Sequence, residues 1–201
     1  AQALYSNDIL GADSVYSPRK FVGVADGGLL SCNILLKEEF ETDLSYQRMS
    51  HLLKRIDLNA EKAYSDFSIN DKSLENNTIK KMSNLTNSIL KAIDFDKIKD
   101  VRINNFNYLH HHLKKMNTLN LDLSNECVPM IYPFRTKNAE LLKKKLIENR
   151  IYCATYWPNV LNWCSEKHNS YNLTKEIIAL PIDQRYDDES MNKILEIIKY
   201  V

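Results

Sequence analysis

The sequence has little glycine and little proline, 4 and 5 residues among 201. Three of the four glycines, Gly23, Gly27 and Gly28, crowd just after Lys20, and no proline separates Pro18 from Pro129, which fits a long helical block between them. There is no run of about 18 apolar residues, which excludes a membrane-spanning helix. Charge of one sign is missing too. Lys+Arg 27 against Asp+Glu 26 leaves +1, so no net field draws the chain to nucleic acid or to an anionic lipid surface. The four cysteines, Cys32, Cys127, Cys153 and Cys164, lie far apart without a CxxC pair, which is wrong for a zinc ribbon or a thioredoxin-type site. No leader precedes Ala1, so the expectation is buried or partly buried thiols in a reducing cytosol.

What is present suits a globular protein: 44% hydrophobic and 26% charged residues, enough for one large domain or two small ones. Residues 13–35 read as a strand pair joined at Asp26-Gly27-Gly28. From about 41 to 118 the period becomes helical. Met49, Leu52, Leu53 and Ile56 form one stripe, Met82, Leu85, Ile89 and Ile93 a second, and Ile98, Val101, Phe106, Leu109, Leu113 and Met116 a third. Breaks are expected near Asn59, Asn70 and Asn76-Asn77, because Asn side chains compete for backbone hydrogen bonds. Beyond residue 125, β-rich runs at 128–135, 150–156 and 176–182 alternate with helices at 138–149 and 188–199. Pro129 and Pro133 fall on the same side of one run, as an edge strand tolerates. Asp187 is a good N-cap for the last helix, whose buried stripe is Met191, Ile194, Leu195 and Ile198.

The strongest candidate for chemistry is Lys20. A lysine at a strand end beside Phe21 and Val22 can be desolvated, which lowers its pKa and frees the amine to attack a carbonyl. The nearby glycines let the backbone approach a planar cofactor or a phosphate. The plainer alternative is a hairpin turn beside a surface lysine. No GK[ST] follows, so this is not a P-loop. His110-His111-His112 point about 100° apart on a helix and cannot share one metal face. Trp157 and Trp163 read as packing anchors, and Lys143-Lys144-Lys145 as a solvated face. Arg135 and Arg185, at strand ends, suit either an anionic substrate or a structural ion pair.

The run SPRKFVGVADGG, residues 17–28, resembles the lysine segment of the DegT/DnrJ/EryC1/StrS aminotransferases. Ala1-Gln2-Ala3, Val128 to Pro133 with Tyr156-Trp157-Pro158, and Leu180 to Tyr186 resemble further segments of that family in the same order. The resemblance implies an α/β fold, the C-terminal part of a pyridoxal-phosphate-dependent transferase of the aspartate-aminotransferase type (fold type I). Residues 1–40 would be the end of the large, cofactor-binding domain, 41–124 a helical connector, and 125–201 a small α+β domain. It implies pyridoxal 5'-phosphate as cofactor, Lys20 as the Schiff-base lysine and Gln2 against the cofactor ring or its 3'-oxygen. For the phosphate it implies a serine; the family position is Val15, so Ser17 or Ser14 would take that part, Ser17 first. The family's pyridine-nitrogen aspartate would fall two residues before Ala1, outside this chain. The implied reaction moves an amino group from an amino acid to a keto-sugar on a nucleotide, in a cytoplasmic homodimer with no nucleic acid and no membrane. The alternative is a truncated, non-catalytic relative that serves as an interaction module.

Overall fold

A computed structural model describes residues 4–34, 36–123 and 127–200, and the chain divides into two compact units, Ala1–Asp94 and Phe95–Val201. The helical block is thereby shared: its first three helices belong to the first unit and its last to the second.

In the first unit, β1 (Ser14–Tyr16) pairs antiparallel with β2 (Leu29–Ser31), with Val15 opposite Leu30. The expected strand pair is therefore present, but the glycines do not join it as a tight hairpin. The connection starts with a single 3-10 turn at Pro18–Lys20, whose proline sits where a missing N–H costs nothing, and Lys20 ends that turn and not a strand. Three helices follow, α1 (Ser50–Asp57), α2 (Ala60–Ser73) and α3 (Asn84–Ala92). Two have the expected kind of cap: Asn59 accepts from Lys62 N at 2.9 Å, and Ser83 accepts from Thr86 N at 3.1 Å. Asn70, expected at a break, lies inside α2 and is buried, because its side chain has a tertiary partner. The stripe expected on α1 does not face a core. Leu53 and Ile56 are exposed, and the buried residue is His51, whose ring meets Phe67 of α2 edge-on at 5.8 Å.

The second unit begins with α4 (Phe95–Leu113) and continues through β3 (Ile131–Arg135), α5 (Ala139–Glu148), α6 (Val160–Trp163), α7 (Asn169–Glu176), β4 (Ile177–Pro181) and α8 (Asp188–Lys199). β3 and β4 pair antiparallel, Tyr132 opposite Leu180 and Phe134 opposite Ile178. Those four residues are buried with Leu109 of α4, Leu142 and Leu146 of α5 and Ile194 of α8 in one continuous apolar core. Burying each such side chain is worth roughly 1.5–3 kcal/mol. Pro133 sits on the free side of β3, its carbonyl accepting from Asn117 Nδ2 at 2.8 Å, so its missing N–H breaks no bond to β4. Asp187 caps α8 as expected, accepting from Ser190 N at 3.0 Å, and the stripe at Met191, Ile194, Leu195 and Ile198 is buried.

The strand expected at 150–156 is absent, and α5 explains why. Arg150 takes a left-handed φ of 61° while Ile151 N bonds back to Leu146 O and Arg150 N to Ile147 O, each at 2.8 Å, a Schellman closure without the usual glycine. With so few glycines available, Asn76 and Trp157 also take positive φ, both 56°. Trp157 and Trp163 are not packing anchors: they are 65% and 74% exposed. Of the four free thiols Cys153 is buried, Cys32 and Cys164 are half-buried, and Cys127 is exposed against expectation.

Candidate functional site

The segment after Lys20 is bonded to two helices of its own unit, α2 and α3, and α1 lies beside it. At its start Arg19 pairs with Asp71 of α2 at 3.1 Å, and in its middle Ala25 O accepts from the buried Asn70 Nδ2 at 3.2 Å. A methyl group placed on Gly23 would lie 3.5 Å from Leu52 of α1, an ordinary contact. On Gly27 it would lie 3.1 Å from both Met82 Cε and Thr86 Cγ2, and Gly27 has φ +102°. Glycine is thus required at 27 by conformation and by the close approach of α3 together.

The firmest attachment is Asp26. Its buried carboxylate accepts from Ser83 N at 2.8 Å, from Ser83 Oγ at 2.9 Å and from Thr86 Oγ1, all at the N-terminus of α3. Ser45 Oγ joins the cluster through a 2.7 Å bond with Ser83 Oγ. Negative charge is favoured there by the open N–H groups of the helix and by its dipole. Burial by itself would raise the carboxyl, but the bonds from Thr86 and Ser83 outweigh it, and Asp26 titrates below the ordinary aspartate range.

Lys20 stands exposed at the front of this anchored segment, not desolvated as one reading of the sequence had it. Among the described residues its amine has no hydrogen bond and no ion pair. Ser17, half-buried, opens the same turn, since Lys20 N bonds to Ser17 O at 3.3 Å; its side chain makes no capping bond. One turn therefore carries both the amine and the hydroxyl. Ser14 and Val15 lie on β1, with Val15 exposed. Gln2 falls outside the described residues.

The arginines at the strand ends are taken up in ion pairs: Arg135 Nε with Glu176 at 2.7 Å, and Arg185 in a two-pronged grip on Asp183 at 2.6 and 2.7 Å. His110 stacks on Phe106 at 5.9 Å and approaches the Tyr132 hydroxyl, while His111 and His112 are exposed. From the sequence Asp26 reads only as a turn residue and Asn70 only as a helix break, and Ser83 and Thr86 do not stand out. Ser83-Asn84-Leu85-Thr86 does carry the serine of a helix start. Nothing local in it shows that a carboxylate from residue 26 arrives there as well.

No protein-family model matches the chain, and no curated protein matches it. Among solved structures it is similar to the sugar aminotransferase CalS13 from Micromonospora echinospora, at 10% identity and a TM-score of 0.44 over 53% of this chain and 31% of that one. It is also similar to a DegT DnrJ EryC1 StrS aminotransferase from Brucella abortus, at 16% identity and a TM-score of 0.45 over 70% of this chain and 43% of that one. The chain thus spans less than half the length of either. At these scores the likeness assigns neither an activity nor a cofactor to this chain.

Proposed function

We propose that the chain is the C-terminal portion of a pyridoxal-phosphate-dependent aminotransferase that transfers an amino group from an amino acid to a keto-sugar carried on a nucleotide. The observation that carries the reading is the turn from Ser17 to Lys20, which presents an amine with no partner among the described residues and a hydroxyl without a capping bond, at the head of a segment bonded to α2 and α3. These residue types fit the cofactor: a primary amine for its carbonyl carbon and a hydroxyl for its phosphate. When bound, pyridoxal phosphate supplies an electron sink next to the substrate carbon.

In this reading Lys20 Nζ holds the cofactor and, once displaced by substrate, takes and returns the proton at the substrate carbon. Ser17 Oγ donates to the phosphate, and Gln2 lies against the ring. Residues 1–40 close the large domain, 41–124 connect, and 125–201 form the small domain. The enzyme works in the cytoplasm as a homodimer.

The test is direct. Protein mixed with pyridoxal phosphate should develop the visible absorbance of the cofactor held on a lysine, and borohydride should fix the label on the peptide that contains Lys20. Lys20→Ala should remove both signals. If the full-length protein stays colourless, the enzyme reading fails and the interaction-module alternative takes its place. Ser17→Ala should weaken cofactor binding about tenfold, the loss expected for one charge-assisted hydrogen bond.

A further inference from the structure

We propose that Asp26 is a positioning residue for Lys20: its carboxylate, locked into the N-terminus of α3, fixes the placement of the amine without touching the cofactor. The chemical half of this inference rests on the reading of Lys20 given above, whereas the mechanical half does not.

The geometry is specific. Between Lys20 and Asp26 the chain makes one short-range framework, with Phe21 N and Val22 N both bonded to Pro18 O at 2.9 Å and Val24 N to Val22 O at 3.1 Å. Phe21, Val22, Val24 and Ala25 are buried, so this stretch has a fixed inner face from which Lys20 projects outward. At its far end three donors from two adjacent parts of α3's start converge on a single carboxylate. Of residues 20–28 only Lys20 and Asp26 have side chains that can hydrogen-bond, and it is Asp26 that the helix start holds; Asn70 adds one bond to the backbone of Ala25. An aspartate suits this place better than an asparagine. All three groups that meet it can donate, and an amide would turn an NH2 toward donors. Gly27 next to it allows the chain to lie within van der Waals reach of Met82 and Thr86, so the carboxylate reaches the helix end.

Trypsin reads the placement without any cofactor. It cuts after Lys20 only when the segment opens, and cutting then tracks the population of the open form. In the full chain, Asp26→Ala should speed cleavage of the Lys20–Phe21 bond by at least about tenfold, because a buried acceptor for several donors is lost. Cleavage after Lys62 in α2 and Lys91 in α3 should stay as it is. Thr86→Val, which removes one donor at constant shape, should give the same selective change at smaller size. With pyridoxal phosphate, Asp26→Ala should show less of the visible absorbance at saturating cofactor, and Asp26→Glu should recover part of it.

Unchanged cleavage after Lys20 in Asp26→Ala overturns the proposal. So does an equal acceleration at Lys20, Lys62 and Lys91, which would make Asp26 a support of the whole unit. If the unmodified protein develops no absorbance while the selective cleavage is seen, the cofactor reading fails and the positioning of Lys20 by Asp26 stands.

Discussion

The two units solve the problem of staying folded in different ways. The second buries a continuous set of apolar side chains between β3, β4 and helices α4, α5 and α8, and its polar interior groups have partners: Arg102 bonds to Met130 O at 3.1 Å and to Gln184, and Asn105 caps the carbonyls of Ile182 and Tyr186. The first has a small apolar core around Phe21, Val22 and Val24, and leaves Ile9, Leu10, Val15, Ile34, Leu44 and Ile56 exposed. Its long-range order depends on polar fastenings, Asp26 to α3, Asn70 to Ala25 and Arg19 to Asp71. An apolar core resists by area removed from water and is indifferent to single bonds. A polar fastening depends on a few atoms, each costly to orphan.

The contrast can be broken most forcefully in the second unit. Leu180→Ala, at a fully buried strand position, should lower stability by about 4 kcal/mol in denaturant titration, as a cavity in a well-packed core does. A cost below about 1 kcal/mol would mean that this core is loose. Alkali should single out the same unit. Burial pushes the Cys153 thiol up from 9.0 to about 12, with Lys143 opposing. A group whose folded pKa is raised contributes stability that is whole below its unfolded pKa and is lost as pH rises toward the folded one. Unfolding of residues 95–201 should therefore ease between about pH 9 and 12. Cys153→Ala should flatten that limb without abolishing it, because burial raises Tyr132 and Tyr156 as well. A pH-independent stability across that window would refute the assignment.

Asp187→Ala should cost about 1 kcal/mol, the usual loss for an N-cap, and hydrogen exchange should show it first in the opening turn of α8. The smallest effect sharpens the comparison. Ile56→Ser, at a position 82% exposed, should change stability by less than about 0.5 kcal/mol although it deletes a large apolar side chain. A loss as large as that of Leu180→Ala would show that α1 is covered in solution.

The sequence carried the second unit further than the first. Around Asp187 the cap, the acidic first turn and the stripe to Ile198 are all local, so periodicity and residue type were sufficient. The same applies to Asn59 and to the edge placement of Pro133. Local pattern misled where partners were distant. The apolar stripe of α1 looked like a core face, yet the face that α2 covers is centred on His51. The run at 150–156 has strand composition, but the Schellman closure at Arg150 holds its first residues against α5. The site was half legible. Lys20 and the glycines stand out by composition, and the pairing of the runs at Val15-Tyr16 and Leu29-Leu30 is legible, but the turn that replaces a strand at Lys20 and the groups that hold the segment are not.

By itself, the sequence determined that the chain mixes helix and strand with a net charge of only +1, that cap residues such as Asp187 and the edge residue Pro133 fall where they do, and that Lys20 with its glycines is the place to look for chemistry. Those properties follow from spacing of a few residues, and spacing is written in the chain. Only the tertiary structure decided that Lys20 is exposed with no partner among the described residues, that a side chain at position 27 would meet Thr86 of α3 at 3.1 Å, and that Asp26 is a buried anchor and not a turn residue. The last two depend on groups some sixty positions away in the chain, and contacts at that separation leave no period in a sequence to be read.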